Sequence, residues 1–92
     1  MTLEELKEFS DNLKATGRYR NIKITVRFSN DHWTVAMWLY RSKRNHTRIY
    51  STHPTKVQVA LDDLHNKVLT FDYGEVVGEQ AYDTRWRETY YA

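Results

Sequence analysis

The sequence predicts one small α+β domain, in which a helix, a three-stranded antiparallel meander and a second helix follow one another, with an aromatic segment after them. Two stretches carry apolar residues at helical spacing, and the stretch between them alternates apolar and polar residues with short turns. The chain of 92 residues is long enough for one modest core. We therefore expect a single domain over 1–92, with a helix at 3–15, a sheet at 20–52, a helix at 53–69 and a C-terminal segment at 70–92.

A capping box is expected to start the first helix. Thr2 and Glu5 have the Thr-x-x-Glu spacing in which each side chain accepts from a free backbone N–H group. Gly17 suits the left-handed backbone that ends many helices. One helical face is apolar and should face the core, since its members are Leu3, Leu6, Phe9 and Leu13.

The first hairpin has a register that the sequence defines residue by residue. Asn30 and Asp31 both tolerate positive φ and fit a two-residue turn. Every inward pair is then apolar: Phe28 faces Trp33, Val26 faces Val35, Ile24 faces Met37 and Ile22 faces Leu39. A slip of one residue would turn this whole set outward, so we expect the register to be fixed.

The second hairpin is predicted to turn through the three residues Lys43, Arg44 and Asn45, with Asn45 left-handed. That turn places Leu39 opposite Ile49 on the inner face. On the outer face it predicts two rows across the strands, Lys23-Trp38-Tyr50 and Asn21-Tyr40-Arg48.

The second helix is expected to start within Ser51-Thr52-His53-Pro54, because serine and threonine cap well and proline is tolerated in a first turn. It should end near Leu69, before the β-like stretch Thr70–Gly74. Further on, Tyr82, Trp86 and Tyr90 recur every four residues. This spacing favours a short packed C-terminal helix over the alternative, a tail that orders against a partner.

The charge of the chain is strongly segregated. Residues 14–56 carry ten lysines and arginines against one acidic residue, Asp31, although the net charge of the whole chain is only +2. Residues 1–13 and 57–92 are both net acidic. The sheet region is therefore expected to be basic and the ends of the chain acidic.

Cations and aromatic residues alternate on the predicted outer sheet face and continue into the second hairpin. This mixture is typical of surfaces that contact phosphates and bases. The candidate binding residues are Lys23, Arg27, Trp38, Tyr40, Arg41, Lys43, Arg44, Arg48 and Tyr50. Two alternatives are structural: the C-terminal segment covers the aromatics, or Lys23 with Trp38 and Arg48 with Tyr40 form internal cation–π pairs.

No pattern of catalytic, metal or cofactor chemistry is present in the sequence. There is no cysteine, the four histidines show no i, i+4 pairing, and the three glycines are isolated. Asp62 and Asp63 are adjacent on a helix and point in different directions. We therefore expect no metal, no cofactor and no enzyme activity, and the acidic start and the lack of a long apolar run predict a cytoplasmic protein without a membrane segment.

The order helix, three strands, helix over about residues 3–69 resembles the double-stranded RNA-binding domain. That family has a histidine in its first hairpin, and Asp31-His32-Trp33 is similar. Its second helix opens with a lysine cluster, where this chain has Thr55-Lys56-Val57-Gln58. The resemblance implies an α-β-β-β-α fold and RNA contact through helix ends and the hairpin loop.

In style, the chain also resembles small phage-encoded proteins that disable host defence complexes, anti-CRISPR proteins among them. It is short, lacks cysteine, segregates its charge and ends in an aromatic tail that contains Tyr82, Trp86, Tyr90 and Tyr91. This resemblance implies a stoichiometric binder. Three hypotheses follow: an inhibitor or accessory protein docked on a protein or nucleoprotein complex, a direct RNA- or DNA-binding domain, or a homodimer that pairs two outer faces.

Overall fold

The computed structural model describes residues 1–77 and the backbone of residues 87–91. In these residues two helices cover one face of an antiparallel sheet with strand order β1-β2-β3-β4. The predicted order of helix, meander and helix is confirmed. The elements are α1 (Leu3–Ala15), β1 (Asn21–Ser29), β2 (His32–Ser42), β3 (Asn45–His53), α2 (Val57–Val77) and β4 (Arg87–Tyr91).

The start and the end of α1 follow the predicted signals. Glu5 N donates to Thr2 Oγ1 at 3.1 Å, and Thr2 N donates to Glu5 Oε1 at 2.9 Å. Two free N–H groups are thereby satisfied, as a capping box requires. Gly17 has φ +83°, a value that disfavours other residues, and the chain leaves the helix there.

The hairpin of β1 and β2 has the predicted register at every position. Asn30 and Asp31 have φ of 51° and 62°, as in a two-residue turn with both central residues left-handed. All four predicted inward pairs are observed, from Phe28 opposite Trp33 to Ile22 opposite Leu39. Turn chemistry and alternation agree here, and together they fix the pairing.

The inner face of that hairpin is nevertheless not fully covered. Phe28 is 56% exposed and Val26 is 37% exposed. The Phe28 and Trp33 rings contact each other with centroids 5.0 Å apart. Beside them an apolar groove of about 270 Å³ opens between the hairpin and the starts of both helices.

The predicted register of the second hairpin is wrong by two residues. Lys43 and Arg44 alone form the turn, Ser42 pairs with Asn45, and Asn45 is not among the residues with positive φ. A bulge between Tyr40 and Ser42 absorbs the extra residue, Arg41. A shift by two residues keeps every side chain on its own face, so the alternation of the strand could not detect the error.

The corrected pairs of β2 and β3 change both faces of the sheet. On the inner face, Ile49 lies opposite Met37 and Thr47 lies opposite Leu39. On the outer face, the observed rows are Lys23-Trp38-Arg48 and Asn21-Tyr40-His46. The two predicted rows, which ended on Tyr50 and Arg48, are therefore replaced.

Helix α2 starts later than predicted, because β3 continues through His53. His53 Nδ1 accepts from Lys56 N at 2.8 Å and from Thr55 N at 3.2 Å. The histidine ring thus accepts from two backbone N–H groups next to the helix start and takes the place of the predicted serine or threonine cap. The helix begins at Val57.

The other end of α2 lies well beyond the predicted end near Leu69. Phe71 is buried in the core. Asp72 accepts from Tyr19 Oη at 2.8 Å and from Arg18 Nε at 3.0 Å, and Glu75 pairs with Arg41. These tertiary contacts outweigh the weak local preference of Thr70–Gly74 for a β-like conformation, and the stretch stays helical.

Residues 87–91 form a strand instead of part of the predicted C-terminal helix. β4 pairs with β3 antiparallel, with Glu88 opposite Arg48 and Tyr90 opposite His46. Tyr82 and Trp86 lie outside the described residues. The predicted three-stranded meander thus continues into a fourth strand, which covers the edge of β3.

The core lies between the helices and the inner sheet face. Its main side chains are Leu6, Leu13, Tyr19, Val35, Met37, Leu39, Ile49, Leu61, Leu64, Val68 and Phe71. Within the described ranges, neither helix has the combination of length and apolar sequence that crossing a bilayer requires.

Candidate binding surface on the outer sheet face

The outer face is the side of the sheet that points away from α1 and α2. Because side chains alternate along a strand, every second residue of β1, β2 and β3 points there. Six of the predicted binding residues lie on this face: Lys23, Arg27, Trp38, Tyr40, Arg48 and Tyr50.

A ladder of cations and rings crosses the outer face. The Arg48 guanidinium carbon lies 5.4 Å from the Trp38 ring centroid and 4.8 Å from that of Tyr50. The His46 ring lies 5.4 Å from the Trp38 ring and 4.7 Å from the Tyr40 ring. The order along the ladder is therefore Tyr50, Arg48, Trp38, His46, Tyr40.

The ladder depends on the corrected register. Arg48 lies directly opposite Trp38 and not opposite Tyr40, and His46 takes the position beside Tyr40. His46 was not among the predicted site residues, because the predicted turn placed Arg48 and not His46 opposite Tyr40. The correct two-residue turn would have indicated it.

The ladder makes the aromatic layer a rigid support. Each of its rings packs against a neighbour on the sheet, and all five side chains are half-buried. Cation–π pairs of this kind contribute on the order of 0.5–1 kcal/mol each at partly exposed sites. The two predicted cation–π pairs, Lys23 with Trp38 and Arg48 with Tyr40, are not among the pairs of the described residues; Arg48 instead pairs with Trp38 and Tyr50.

Four exposed cations surround this layer on its β1 side and at the second turn. They are Lys23 and Arg27 on β1, and Lys43 and Arg44 in the turn. In residues 1–77, the carboxylates of Asp62, Asp63, Asp72 and Glu75 are paired with cations elsewhere, and none is paired with these four. The four charges are thus available to a ligand.

Arg41 does not belong to this surface. Its guanidinium pairs with Glu75 of α2 and lies 5.6 Å from the centre of the Phe71 ring. As the extra residue of the bulge, it is directed to the helix side of the sheet. Of the predicted binding residues, Arg41 is therefore the one that the structure places apart from the rest.

Lys67 of α2 fixes the far end of the ladder. Its Nζ donates to Tyr50 O at 3.1 Å and lies 3.0 Å from Asp63 Oδ2, which also accepts from the Ser51 hydroxyl. Partial burial of Asp63 opposes ionisation, but the hydrogen bonds from Ser51 and Lys67 outweigh burial and lower its pKa. The ionised carboxylate therefore ties β3 to α2.

A small pocket opens at the other end of the ladder, near the second turn. It has a volume of about 270 Å³ and is lined by Arg20, Asn21, Tyr40, Ser42 and Lys43. Arg20, which directly precedes β1, was not predicted as a site residue. The backbone N–H of Arg20 donates to Tyr40 O at 2.7 Å, which places Arg20 beside the C-terminal end of β2.

Within the residues whose side chains are described, no group of three or more histidine, aspartate or glutamate side chains is arranged to hold a metal ion.

Comparisons with protein-family models, curated proteins and solved structures gave no significant match to this chain.

Proposed function

We propose that this protein is a non-catalytic binding protein that docks on a nucleic-acid-handling complex in the cytoplasm. In this proposal it is an inhibitor or accessory protein, like the small phage-encoded proteins that its size and composition resemble. Its contact surface consists of the outer face and the turn of Lys43 and Arg44.

The observation that carries the proposal is the arrangement of charge around a rigid aromatic layer. Lys23, Arg27, Lys43 and Arg44 are exposed, and no carboxylate of residues 1–77 pairs with them. Fixed charges on a rigid surface speed association with an oppositely charged partner and define its orientation. The contact area on the partner is therefore expected to be acidic or to carry phosphate groups.

A capture experiment tests this proposal. The immobilised protein is exposed to a host lysate treated with nuclease, and retained proteins are identified by mass spectrometry. We expect a defined nucleic-acid-handling complex to be retained after nuclease treatment. Retention of nothing specific would overturn the proposal, and so would retention that disappears with nuclease.

Two charge-reversed variants make the experiment specific for the surface. Lys43→Glu/Arg44→Glu changes the second turn, and Lys7→Glu/Lys56→Glu makes the same change in net charge at exposed positions away from the outer face. We expect the first variant to lose the complex and the second to keep it. Equal retention by both variants would exclude this surface as the docking site.

Direct binding of RNA or DNA is a second candidate, and the cationic pocket beside Tyr40 favours it. If the outer face contacts a phosphate backbone, the logarithm of the affinity should fall with the logarithm of the salt concentration. The slope should be about −0.9 per phosphate contact on duplex DNA and about −0.7 on single strands. Absence of binding to generic RNA and DNA at low salt would exclude this candidate and leave the first.

A further inference from the structure

The side chains that line the pocket beside the second turn end in cations or neutral polar groups, and more of the lining surface is apolar than polar. Arg20 and Lys43 supply the cations. Asn21, Ser42 and Tyr40 supply an amide, a hydroxyl and a phenol, each of which can donate. No carboxylate lines the pocket. A phosphate group matches such a lining, because its oxygens accept several charge-assisted hydrogen bonds at once.

Tyr40 lines the pocket, and its ring packs against a neighbour on the side that faces away from the pocket. In the row Asn21-Tyr40-His46, Asn21 lies on the β1 side of Tyr40 and His46 lies on the β3 side. The His46 ring packs on Tyr40 at 4.7 Å between centroids. The pocket lies on the β1 side, where the same ring is free to contact a ligand.

The volume of the pocket exceeds what a phosphate ion needs. About 270 Å³ is many times the roughly 10–15 Å³ that one water molecule needs. A phosphate bound between Arg20 and Lys43 would leave room beside Tyr40 for an attached sugar or base. Aromatic rings stack on bases without strong sequence preference.

We propose that this pocket binds the phosphate group of a nucleotide, with Arg20 and Lys43 on the phosphate and Tyr40 beside the nucleoside. The proposal goes beyond the docking function described above, because Arg20 is not part of the docking surface. A nucleotide could be bound here whether or not the outer face docks on a complex.

Titration of the isotope-labelled protein with three ligands tests the site by NMR. The ligands are uridine 5′-monophosphate, inorganic phosphate and uridine. We expect the amide signals of Asn21 and Ser42 to shift with the two phosphates, with the nucleotide binding more tightly than phosphate, and to stay in place with uridine at the same concentration. Equal shifts with uridine, or none with any of the three, would overturn the proposal.

Arg20→Gln is the decisive variant, and Lys23→Gln is its matched control. Arg20 directly precedes β1 and Lys23 lies in it; both are exposed cations, but only Arg20 lines the pocket. We expect Arg20→Gln to weaken nucleotide binding about tenfold or more, as loss of a hydrogen bond to a charged group does. Lys23→Gln should change it less than about twofold. Equal weakening by both variants would show diffuse charge attraction and overturn the proposal.

The source of the phosphate is distinguished by a fourth ligand, a uridine tetranucleotide without a terminal phosphate. Tighter binding of the tetranucleotide than of the mononucleotide assigns the pocket to a nucleic-acid strand, and the reverse assigns it to a free nucleotide or a phosphorylated end. Failure of the nucleotide site is separate from failure of the docking function, because Arg20→Gln should capture the complex from lysate as wild type does.

Discussion

Arg41 and Arg48 show how two arginines of one hairpin come to have different roles. Both belong to the basic stretch that follows Tyr40 in the sequence. The bulge turns Arg41 toward Glu75 and Phe71, whereas Arg48 stays on the outer face between Trp38 and Tyr50. Residue type and spacing alone could not separate them, because the position of a bulge depends on the pairing of both strands.

Replacement of Arg41 tests this difference. Arg41→Gln removes an ion pair that is about one-third exposed and a contact with the Phe71 ring. We expect the free energy of unfolding, measured in urea, to fall by about 0.5–1.5 kcal/mol. Capture of the partner complex should not change. Loss of capture by a fully folded Arg41→Gln protein would place Arg41 back on the binding surface.

Tyr19 makes the folding stability of the protein depend on pH in the alkaline range. Burial of its ring raises the pKa of the phenol, and the hydrogen bond to Asp72 raises it further. In the unfolded chain a tyrosine ionises near pH 10. Because the folded state holds this proton more tightly, the contribution of Tyr19 to the free energy of unfolding is complete below about pH 10. It is lost as the pH rises above that value.

Comparison with Tyr19→Phe isolates this effect. We expect the variant to be less stable by about 1 kcal/mol at neutral pH, where the hydrogen bond is lost. Between about pH 10 and 11, the wild type should lose stability more steeply than the variant. Urea unfolding at several pH values measures both quantities. Parallel pH profiles for the two proteins would contradict the assignment.

At the scale of elements, the two hairpins differ in what their sequences specify. Asn30 and Asp31 both tolerate positive φ and fix a two-residue turn, so the whole register of β1 and β2 was predicted. Lys43 and Arg44 have no such preference. The second register was predicted from a three-residue turn with Asn45 left-handed, and alternation could not correct it, because alternation cannot distinguish a shift of two residues.

The first turn provides a test of this explanation. Asp31→Gly places a residue without a Cβ at φ 62°, and we expect it to stabilise the protein by up to about 1 kcal/mol. Asn30→Val introduces a β-branched residue at φ 51° and should destabilise it by about 1–2 kcal/mol. Urea unfolding measures both changes. Destabilisation by Asp31→Gly would mean that the Asp31 side chain contributes more than its backbone strain costs.

The ends of α2 and the strand β4 could not be predicted from local sequence. Phe71, Asp72 and Glu75 remain helical because the core, Tyr19, Arg18 and Arg41 bind them there. These partners lie far away in the chain, and a local pattern does not contain them. The four-residue spacing of Tyr82, Trp86 and Tyr90 suggested a helix, but the edge of β3 recruits residues 87–91 as a strand.

At the scale of the whole molecule, charge and topology together define the candidate surface. The basic stretch of residues 14–56 contains the first three strands, so much of its charge necessarily reaches the sheet. Alternation correctly predicted which of its residues lie on the outer face. The rows, the role of His46 and the pocket at Arg20 required the true register and the bulge, and sequence did not reveal them.

Docking of the basic side of the sheet on a partner is best measured by paired capture from nuclease-treated lysate. We expect wild type and Lys7→Glu/Lys56→Glu to retain the same nucleic-acid-handling complex, and Lys43→Glu/Arg44→Glu, shown to be folded by its urea unfolding curve, to retain none of it. Retention of that complex at the wild-type level by Lys43→Glu/Arg44→Glu would exclude docking through this side of the sheet.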